Sequence, residues 1–405
     1  MKKRILFVDD EPKVLEGLGR MLRVMRDEWE MRFATGGPEA LEIMAAEPFD
    51  LVVTDMRMPV MNGLEFLKEV REKHPKVIRI MLSGHADQVL IMSSAGAAHQ
   101  YLSKPCDAEV LRSTVRRAIE LRELLANEKI KLLVGRMSTL PSLPSLYVEV
   151  VQELQSVDAS VRHVGEIIAK DPGMTAKILQ LVNSAFFGIR RRVSNPTDAV
   201  AYLGLETIQS LVLSVKVFSK FESSGTPGCS IDQISSHSLA TAILAKRIAE
   251  GEHASKAMAD EAFTAGLLHD LGKLLLSSNL PEQYGAVVAR SMSAGAGYCD
   301  VEREILGSTH AEVGAYLMGL WGLPDPIVEA IALHHRPSDC AQKAFCALSA
   351  VHAANALEYE LQAGRQQTMP PALLDQAYIA AIGKTERLND WRAWSTEIAT
   401  AGESK

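Results

Sequence analysis

The chain has 405 residues, 47% hydrophobic and 23% charged; this excludes wholesale disorder and, at about 100–200 residues per domain, predicts two or three domains. The net charge of −7 comes from 43 basic and 50 acidic residues and divides as −1 over residues 1–120 and −6 over the rest, so neither part shows the basic excess of a nucleic-acid-binding domain. Five scattered cysteines without CxxC spacing argue against a disulfide framework or a zinc ribbon, and no apolar run approaches the roughly 18 residues of a membrane span, so a cytoplasmic protein of a reducing compartment is expected.

Residues 4–105 alternate short apolar runs with amphipathic stretches. The runs are Ile5–Val8, Met31–Ala34, Leu51–Thr54, Val77–Leu82 and Gln100–Leu102; in Gly63–Lys73, Leu64, Leu67 and Val70 share one helical face. Five strands alternating with four helices predict an α/β unit with a doubly wound parallel sheet, whose sites lie beyond the carboxyl ends of the strands. From Asp107 to about Arg136, Leu111, Val115, Ala118, Leu121, Leu125 and Leu132 recur at helical intervals, which predicts one long helix whose second half projects toward the next domain. Pro141 and Pro144 end that pattern.

Everything after residue 145 reads as all-α, in keeping with 5% aromatics. Asp171-Pro172 and Asn195-Pro196 are helix starts, the first followed by a stripe of Met174, Ile178, Leu181 and Val182. Ile208, Leu211, Val212 and Val215 mark another helix, and Thr309 with Glu312 forms a capping box before Val313, Leu317 and Leu320. Ser223–Ser230 is expected to join helical subdomains at about 140–222 and 231–365, while residues 366–405 carry no interpretable motif.

Asp9 and Asp10 end the first strand and Asp55 ends the third. Three neighbouring carboxylates repel one another, and a hard divalent cation such as Mg²⁺ relieves that repulsion. Ser83 closes the fourth strand and Lys104-Pro105 follows the fifth, which adds a hydroxyl and an ammonium suited to holding an aspartyl phosphate. Residues 3–120 resemble a two-component receiver domain, through Ile5–Glu11, Asp55-Met56-Arg57-Met58-Pro59 with Gly63, Ser83-Gly84 and Lys104-Pro105. The resemblance implies that Asp55 accepts a phosphoryl group from a sensor histidine kinase. It also implies that Asp10, Asp55 and the Arg57 carbonyl bind Mg²⁺ with help from Asp9, and that Ser83 and Lys104 contact the phosphoryl oxygens. Tyr101 would be the family's rotating aromatic, or simply fill space beside the sheet.

Eight of the eleven histidines lie after residue 160. His237, His269-Asp270, His310, His334-His335 and His352 could enclose Zn²⁺, Fe or Mn²⁺ from several helices, whereas His163 and His253 read as ordinary hydrogen-bonding groups. His269-Asp270-Leu271-Gly272-Lys273 resembles the motif of HD-type metal phosphohydrolases, which makes Lys273 a phosphate contact. The later histidines match ligand positions of the cyclic-dinucleotide phosphodiesterase branch. Residues 140–365 as a whole resemble the HDOD domain, a relative generally without enzymatic output. The matching segments include Leu140–Pro144, Asp171–Lys177, Asn183–Gly188, Ala199–Gly204, Leu267–Lys273, His310–Gly322 and His334–Pro337. Two departures cut in opposite directions: HDOD domains usually retain few metal ligands whereas this chain keeps nearly all of them, and, against catalysis, features of the phosphodiesterase branch are missing. Its final ligand aspartate is replaced by His352 or Asn355, depending on alignment, and Arg336-Pro337 stands where Gly-Tyr-Pro would be. Arg190-Arg191-Arg192 reads as a solvated loop, or as a contact for an acidic partner or phosphate.

The expected organisation is a receiver at 1–120, a signalling helix at 121–139, an HDOD domain at 140–365 and a helical tail at 366–405. The expected function is a response regulator that signals by protein contact to an unknown downstream protein, with self-association possible through the linker helix. The rival is a phosphorylation-gated, metal-dependent cyclic-di-GMP phosphodiesterase. No membrane attachment and no direct DNA binding are expected.

Overall fold

The computed structural model describes residues 2–403 apart from 85–96, 126, 138–139, 143, 157, 184–191, 206, 210–217, 221–229, 295–296 and 364–372. Strands β1 (Lys3–Val8), β2 (Trp29–Ala34), β3 (Leu51–Asp55), β4 (Ile78–Ser83) and β5 (Gln100–Ser103) form one parallel sheet in the order β2-β1-β3-β4-β5. This is the doubly wound sheet that the alternating pattern predicts. Every residue of β3 and β4 is buried, which is why their sequences are apolar runs and not alternations. Helices α1 (Pro12–Met21), α2 (Gly37–Ala46) and α3 (Gly63–Lys73) alternate with the first four strands; the helix expected between β4 and β5 falls on residues outside those described. Helix α3 begins at a capping box in which Asn62 Oδ1 accepts from the Glu65 amide at 2.9 Å.

The expected single helix from 107 to 136 is two helices, α4 (Ala108–Leu124) and α5 (Glu128–Arg136). The break is made by Asn127, whose Oδ1 caps α5 through the Lys129 amide while its Nδ2 donates to the Leu306 carbonyl. Helix α5 packs against the receiver's own edge and, as expected of the second half, also reaches the C-terminal region. Arg79 Nη2 donates to the Gly135 carbonyl at 2.8 Å, and Gly135 sits so close to Pro75 that a Cβ would fall 1.8 Å from the Pro75 carbonyl oxygen. Leu111, Val115, Ala118, Leu121, Leu125, Ile130 and Val134 are all buried within the chain. Leu132, the remaining member of the expected stripe, is half-buried.

The C-terminal region is helical, as expected, with two short strands that the sequence does not announce: β6 (Leu140–Ser142) pairs in parallel with β7 (Phe218–Lys220). Helices α6 (Pro144–Gln155), α7 (Val161–Ile168), α8 (Pro172–Val182) and α9 (Pro196–Leu203) come first. Asp171 and Asn195 cap α8 and α9 as predicted. All of α8 is buried, consistent with an apolar stripe that widens to every face. The second group is α10 (Ile231–Gly251), α11 (Lys256–Leu268), α12 (Leu271–Asn279), α13 (Pro281–Ala294), α14 (Tyr298–Leu306), α15 (His310–Leu320), α16 (Asp325–Leu333) and α17 (Ala347–Ala363). The tail contributes α18 (Gln376–Ala381) and α19 (Leu388–Glu403), tied to the end of α10 by Glu252, which accepts from Lys384, Arg387 and Trp391. Leu211, Val212, Val215 and most of the Ser223–Ser230 stretch lie outside the described residues. Among the described residues no helix is long and apolar enough to cross a membrane.

The two regions share one apolar core. Leu121 of α4 lies against Gly319 of α15, where a Cβ would come within 2.5 Å of its methyl group. Arg117 Nη2 donates to the Leu323 carbonyl at 2.6 Å, as does Arg192 Nη1 at 2.9 Å. Gln180 of α8 donates to the His99 carbonyl at 3.3 Å. If the Gly135 approach fixes α5, Gly135→Ala should cost about 1–3 kcal/mol in urea unfolding. Gly17→Ala, whose Cβ enters open space, should be neutral or gain up to ~1 kcal/mol. Equal effects from the two changes would contradict the packing described.

Candidate functional site

Two clusters of charged side chains occupy separate parts of the chain. The first lies at the carboxyl ends of β1, β3, β4 and β5, where the parallel register brings Thr54 beside Val8, Asp55 beside Leu82, and Ser83 beside Ser103. Lys104 Nζ bridges Asp9 Oδ2 at 2.8 Å and Asp55 Oδ1 at 2.6 Å. The remaining oxygens of those carboxylates accept main-chain amides, Glu11 on Asp9 and Arg57 on Asp55. Asp10 is half-buried and forms no hydrogen bond or ion pair among the described residues. It borders an open cleft of about 480 Å³ that Arg57, Pro59 and Asn62 also line. Burial pushes the Asp55 carboxyl up and the Asp9 charge adds to this, while Lys104 and the Arg57 amide oppose it. Burial alone would lower the Lys104 pKa, but its hydrogen bonds to Asp55 and Asp9 win and raise it.

The sequence-derived set of Asp9, Asp10, Asp55, Arg57, Ser83 and Lys104 is therefore gathered at one end of the sheet. Three carboxylates against one ammonium leave a deficit that a divalent cation cancels, so the donor set fits Mg²⁺. Ser83 is fully buried and its Oγ has no hydrogen-bond partner among the described residues, an orphaned donor at a strand end. Tyr101 is 2% exposed and packs with Met81 and Phe66 in the core on that side of the sheet.

The second cluster lies among α10, α11, α12, α15, α16 and α17. Gly272 lets the start of α12 touch the start of α15, since a Cβ there would fall 1.9 Å from the His310 carbonyl oxygen. That contact sets His310 Nε2 at 3.3 Å from Asp270 Oδ1. His334 Nε2 stands 3.9 Å from the same oxygen, and His335 Nε2 stands 3.2 Å from His310 Nε2. On the other carboxylate oxygen, Asp270 Oδ2, His269 Nε2 lies at 3.4 Å and His237 Nε2 at 3.8 Å. Three rings are held from behind. His269 and His334 engage the Gly266 and Ile331 carbonyls through Nδ1, and His310 engages Glu302 through Nδ1. Among the described residues, His269 Nε2, His334 Nε2 and Asp270 Oδ1 are buried with no hydrogen-bond partner. Rings fixed through Nδ1, with orphaned Nε2 atoms facing a carboxylate, are the donor arrangement of a borderline transition metal such as Zn²⁺, Fe or Mn²⁺.

Burial, then the neighbouring His269, pushes the His237 pKa down to about 3. His334 and His335 are held well below the usual imidazole range, first by burial and then by adjacent rings, so both are neutral. Burial would raise the Asp270 carboxyl, but His269 and Lys273 hold it well below the carboxylate range.

Two expected members are placed differently. His352 is buried away from the cluster: its Nδ1 bonds the His334 carbonyl at 2.8 Å and its Nε2 accepts the Asp375 amide at 2.9 Å. Asn355, one turn further along α17, faces the cluster instead, with Oδ1 at 2.9 Å from His237 Nε2. Lys273 is 1% exposed and pairs with Asp270 Oδ2 at 2.7 Å, so it is a counter-ion and not an exposed phosphate contact. Glu302 was not foreseen. This fully buried carboxylate accepts from Tyr284, from the His310 amide and from His310 Nδ1, yet it belongs to no motif. Arg192 is an exposed loop residue, in keeping with the solvated-loop reading, and donates to the Leu323 carbonyl; Arg190, Arg191 and the Ser184–Gly188 segment lie outside the described residues. His163 pairs with Glu153 at 3.1 Å, an ordinary contact as expected.

A family model described as the response regulator receiver domain matches residues 5–116, and one described as the HDOD domain matches residues 140–337. Over 229 residues the chain is 26% identical to an uncharacterized protein of Treponema pallidum (strain Nichols), covering 56% of this chain and 44% of that one. Over 129 residues it is 38% identical to the response regulator protein PilR of Pseudomonas aeruginosa, 31% of this chain and 28% of that one. The chain thus spans less than half the length of these curated relatives. Among solved structures, the MmoQ response regulator of Methylococcus capsulatus is similar at 24% identity and a TM-score of 0.49, covering 63% of this chain and 98% of that one.

The bridging ammonium has a measurable consequence. Lys104→Met removes both a hydrogen bond and the opposing charge, so the Asp55 pKa should rise further in a carboxyl-carbon NMR titration. An unchanged or lowered value would mean that Lys104 does not control that carboxylate.

Proposed function

This chain is a response regulator, a receiver domain followed by an HDOD domain, and from that premise we propose that Asp55 accepts a phosphoryl group from a sensor histidine kinase and that the HDOD half relays the change by protein contact. The observation that carries the first part is the Lys104 bridge between Asp9 and Asp55, beside a buried Ser83 hydroxyl with nothing to bond. An Asp55 oxygen attacks phosphorus, the phosphorus–nitrogen bond of the donor breaks, and the imidazole nitrogen leaves with the electron pair. Lys104 and Ser83 then supply the donors that the phosphoryl oxygens need. Asp10, Asp55 and the Arg57 carbonyl, with Asp9 behind them, would hold Mg²⁺, which supplies charge neutralisation to carboxylate and phosphoryl group alike. The protein works in the cytoplasm, without direct DNA contact.

In the HDOD half, the histidine cluster holds a transition metal as a structural or regulatory element. A second reading, hydrolysis of cyclic di-GMP there, is favoured by the convergent, unpartnered donors. Burial weighs against it: His269, Asp270, His310 and His334 are each at most 1% exposed, so a dinucleotide phosphate has no approach to them as the chain stands. Asn355 in place of a ligand aspartate, and Arg336-Pro337 in place of Gly-Tyr-Pro, weigh the same way.

Incubation with acetyl phosphate and Mg²⁺ should label the native chain and leave Asp55→Asn unlabelled; undiminished labelling of the variant would move the acceptor elsewhere. Cyclic di-GMP should persist with the metal-loaded protein. Rapid turnover that disappears in His269→Ala/Asp270→Ala would establish the second reading instead.

A further inference from the structure

The histidine cluster has two sides, one on each oxygen of Asp270, and they are not equivalent. Donor atoms of Asp270, His310, His334 and His335 lie within 4.8 Å of one another on the first side; those of His237, His269 and Asp270 do so on the second. Resting on the reading that this cluster binds metal, we propose that it takes a single divalent ion, on the Asp270–His310–His334–His335 side, because Lys273 permanently fills the place of a second.

On the second side, the Lys273 ammonium lies 2.7 Å from Asp270 Oδ2 and 3.3 Å from the Tyr359 hydroxyl, with the Tyr298 and Tyr359 rings 5.3 and 5.8 Å away. An ion bonded to Oδ2 at the usual ~2.0–2.2 Å would share that oxygen with an ammonium that has no path to solvent. His237 Nε2 is also engaged, because Asn355 stands 2.9 Å from it and occupies it whichever way the amide is turned. Among the described residues His269 Nε2 is unpartnered there, and the unpartnered nitrogen of His237 is Nδ1, not the Nε2 that lies near Asp270 Oδ2.

On the first side, Asp270 Oδ1 and His334 Nε2 have no hydrogen-bond partner among the described residues, and His310 Nε2 and His335 Nε2 stand 3.2 Å apart. That makes four donors, the number of a tetrahedral site. Glu302 is the positioning residue: it accepts from both the amide and Nδ1 of His310 and so keeps Nε2 turned inward. The third grouping, Cys299–Glu302–His310, is not a site. Both Glu302 oxygens are already occupied, and burial pushes the Cys299 thiol far up, so it stays protonated.

The test is equilibrium dialysis of the full chain against Zn²⁺ with elemental analysis, and Co²⁺ absorption as an independent readout. To exclude the receiver's carboxylates from the count, an Asp9→Asn/Asp10→Asn background is used throughout. The native cluster should hold one ion with a tetrahedral Co²⁺ spectrum. His334→Ala should lose it by more than tenfold in affinity, Glu302→Gln should weaken it by about 10–100-fold, and His269→Ala should keep it. Lys273→Met/Asn355→Asp should raise the count to two. Should that double variant fail to fold, the contrast between His334→Ala and His269→Ala still decides which side is filled. Two ions in the native cluster, or one ion lost with His269 and kept without His334, would overturn the proposal while leaving metal binding intact. No ion in the native chain or any variant would remove the metal reading itself.

Discussion

The contact of Leu121 with the bare backbone of Gly319 fuses two regions that the sequence presents as separate modules. Around it, one hydrophobic core runs from Ile5 in the first strand to Trp391 in the last helix. Each fully buried leucine or valine on α4 and α5 contributes about 1.5–3 kcal/mol relative to exposure. The receiver is therefore not tethered to its output by a linker; the linker is part of both cores. Any change at Asp55 has to be read through that packing.

Buried polar groups give the packing its register. Arg79, fully buried on β4, donates from Nε to the Ala97 carbonyl at 2.7 Å and from Nη2 to the Gly135 carbonyl at 2.8 Å. It so connects the segment entering β5 to the last turn of α5. Burial lowers its pKa to about 9, which still leaves it charged near neutrality, so each of those carbonyls accepts a charge-assisted bond. His99 completes the junction: its ring accepts the Arg79 amide, and its carbonyl accepts Gln180 from α8. A shift of the β4–β5 connection thus cannot leave α5 and α8 undisturbed. Moving a two-state element from 1:99 to 99:1 takes about 5.5 kcal/mol of differential stabilisation, so a few such bonds bias populations and do not switch them completely.

Much of this arrangement was legible in the sequence because it rests on local rules. Apolar runs of strand length, Asp-Pro and Asn-Pro helix starts and the Thr309–Glu312 capping box all depend on neighbours within a few residues, and each appears where expected. What was hidden depends on distant partners. The break between α4 and α5 falls at Asn127, an unremarkable helical position until the Leu306 carbonyl is seen to take its side-chain amide. His352 and Asn355, three residues apart on α17, were equally eligible for the cluster. The choice is made by Asp375, whose amide occupies His352 from a segment that carries no motif of its own. Glu302 escaped notice because a glutamate in Asp-Val-Glu-Arg-Glu reads as a solvated face; only the fold reveals it as buried behind His310. Lys273 is buried, and its pairing with Asp270 is a fact of packing that spacing could not convey.

The central claim is that the α4–α5 strap belongs to both cores and so transmits the state of Asp55. Hydrogen exchange of the full chain, with and without beryllofluoride and Mg²⁺, tests it most directly. Exchange should change together in the receiver, across residues 108–136, and in residues 310–323 on the far side of the Leu121–Gly319 contact. A receiver that responds while the strap and residues 310–323 keep their protection would contradict the account.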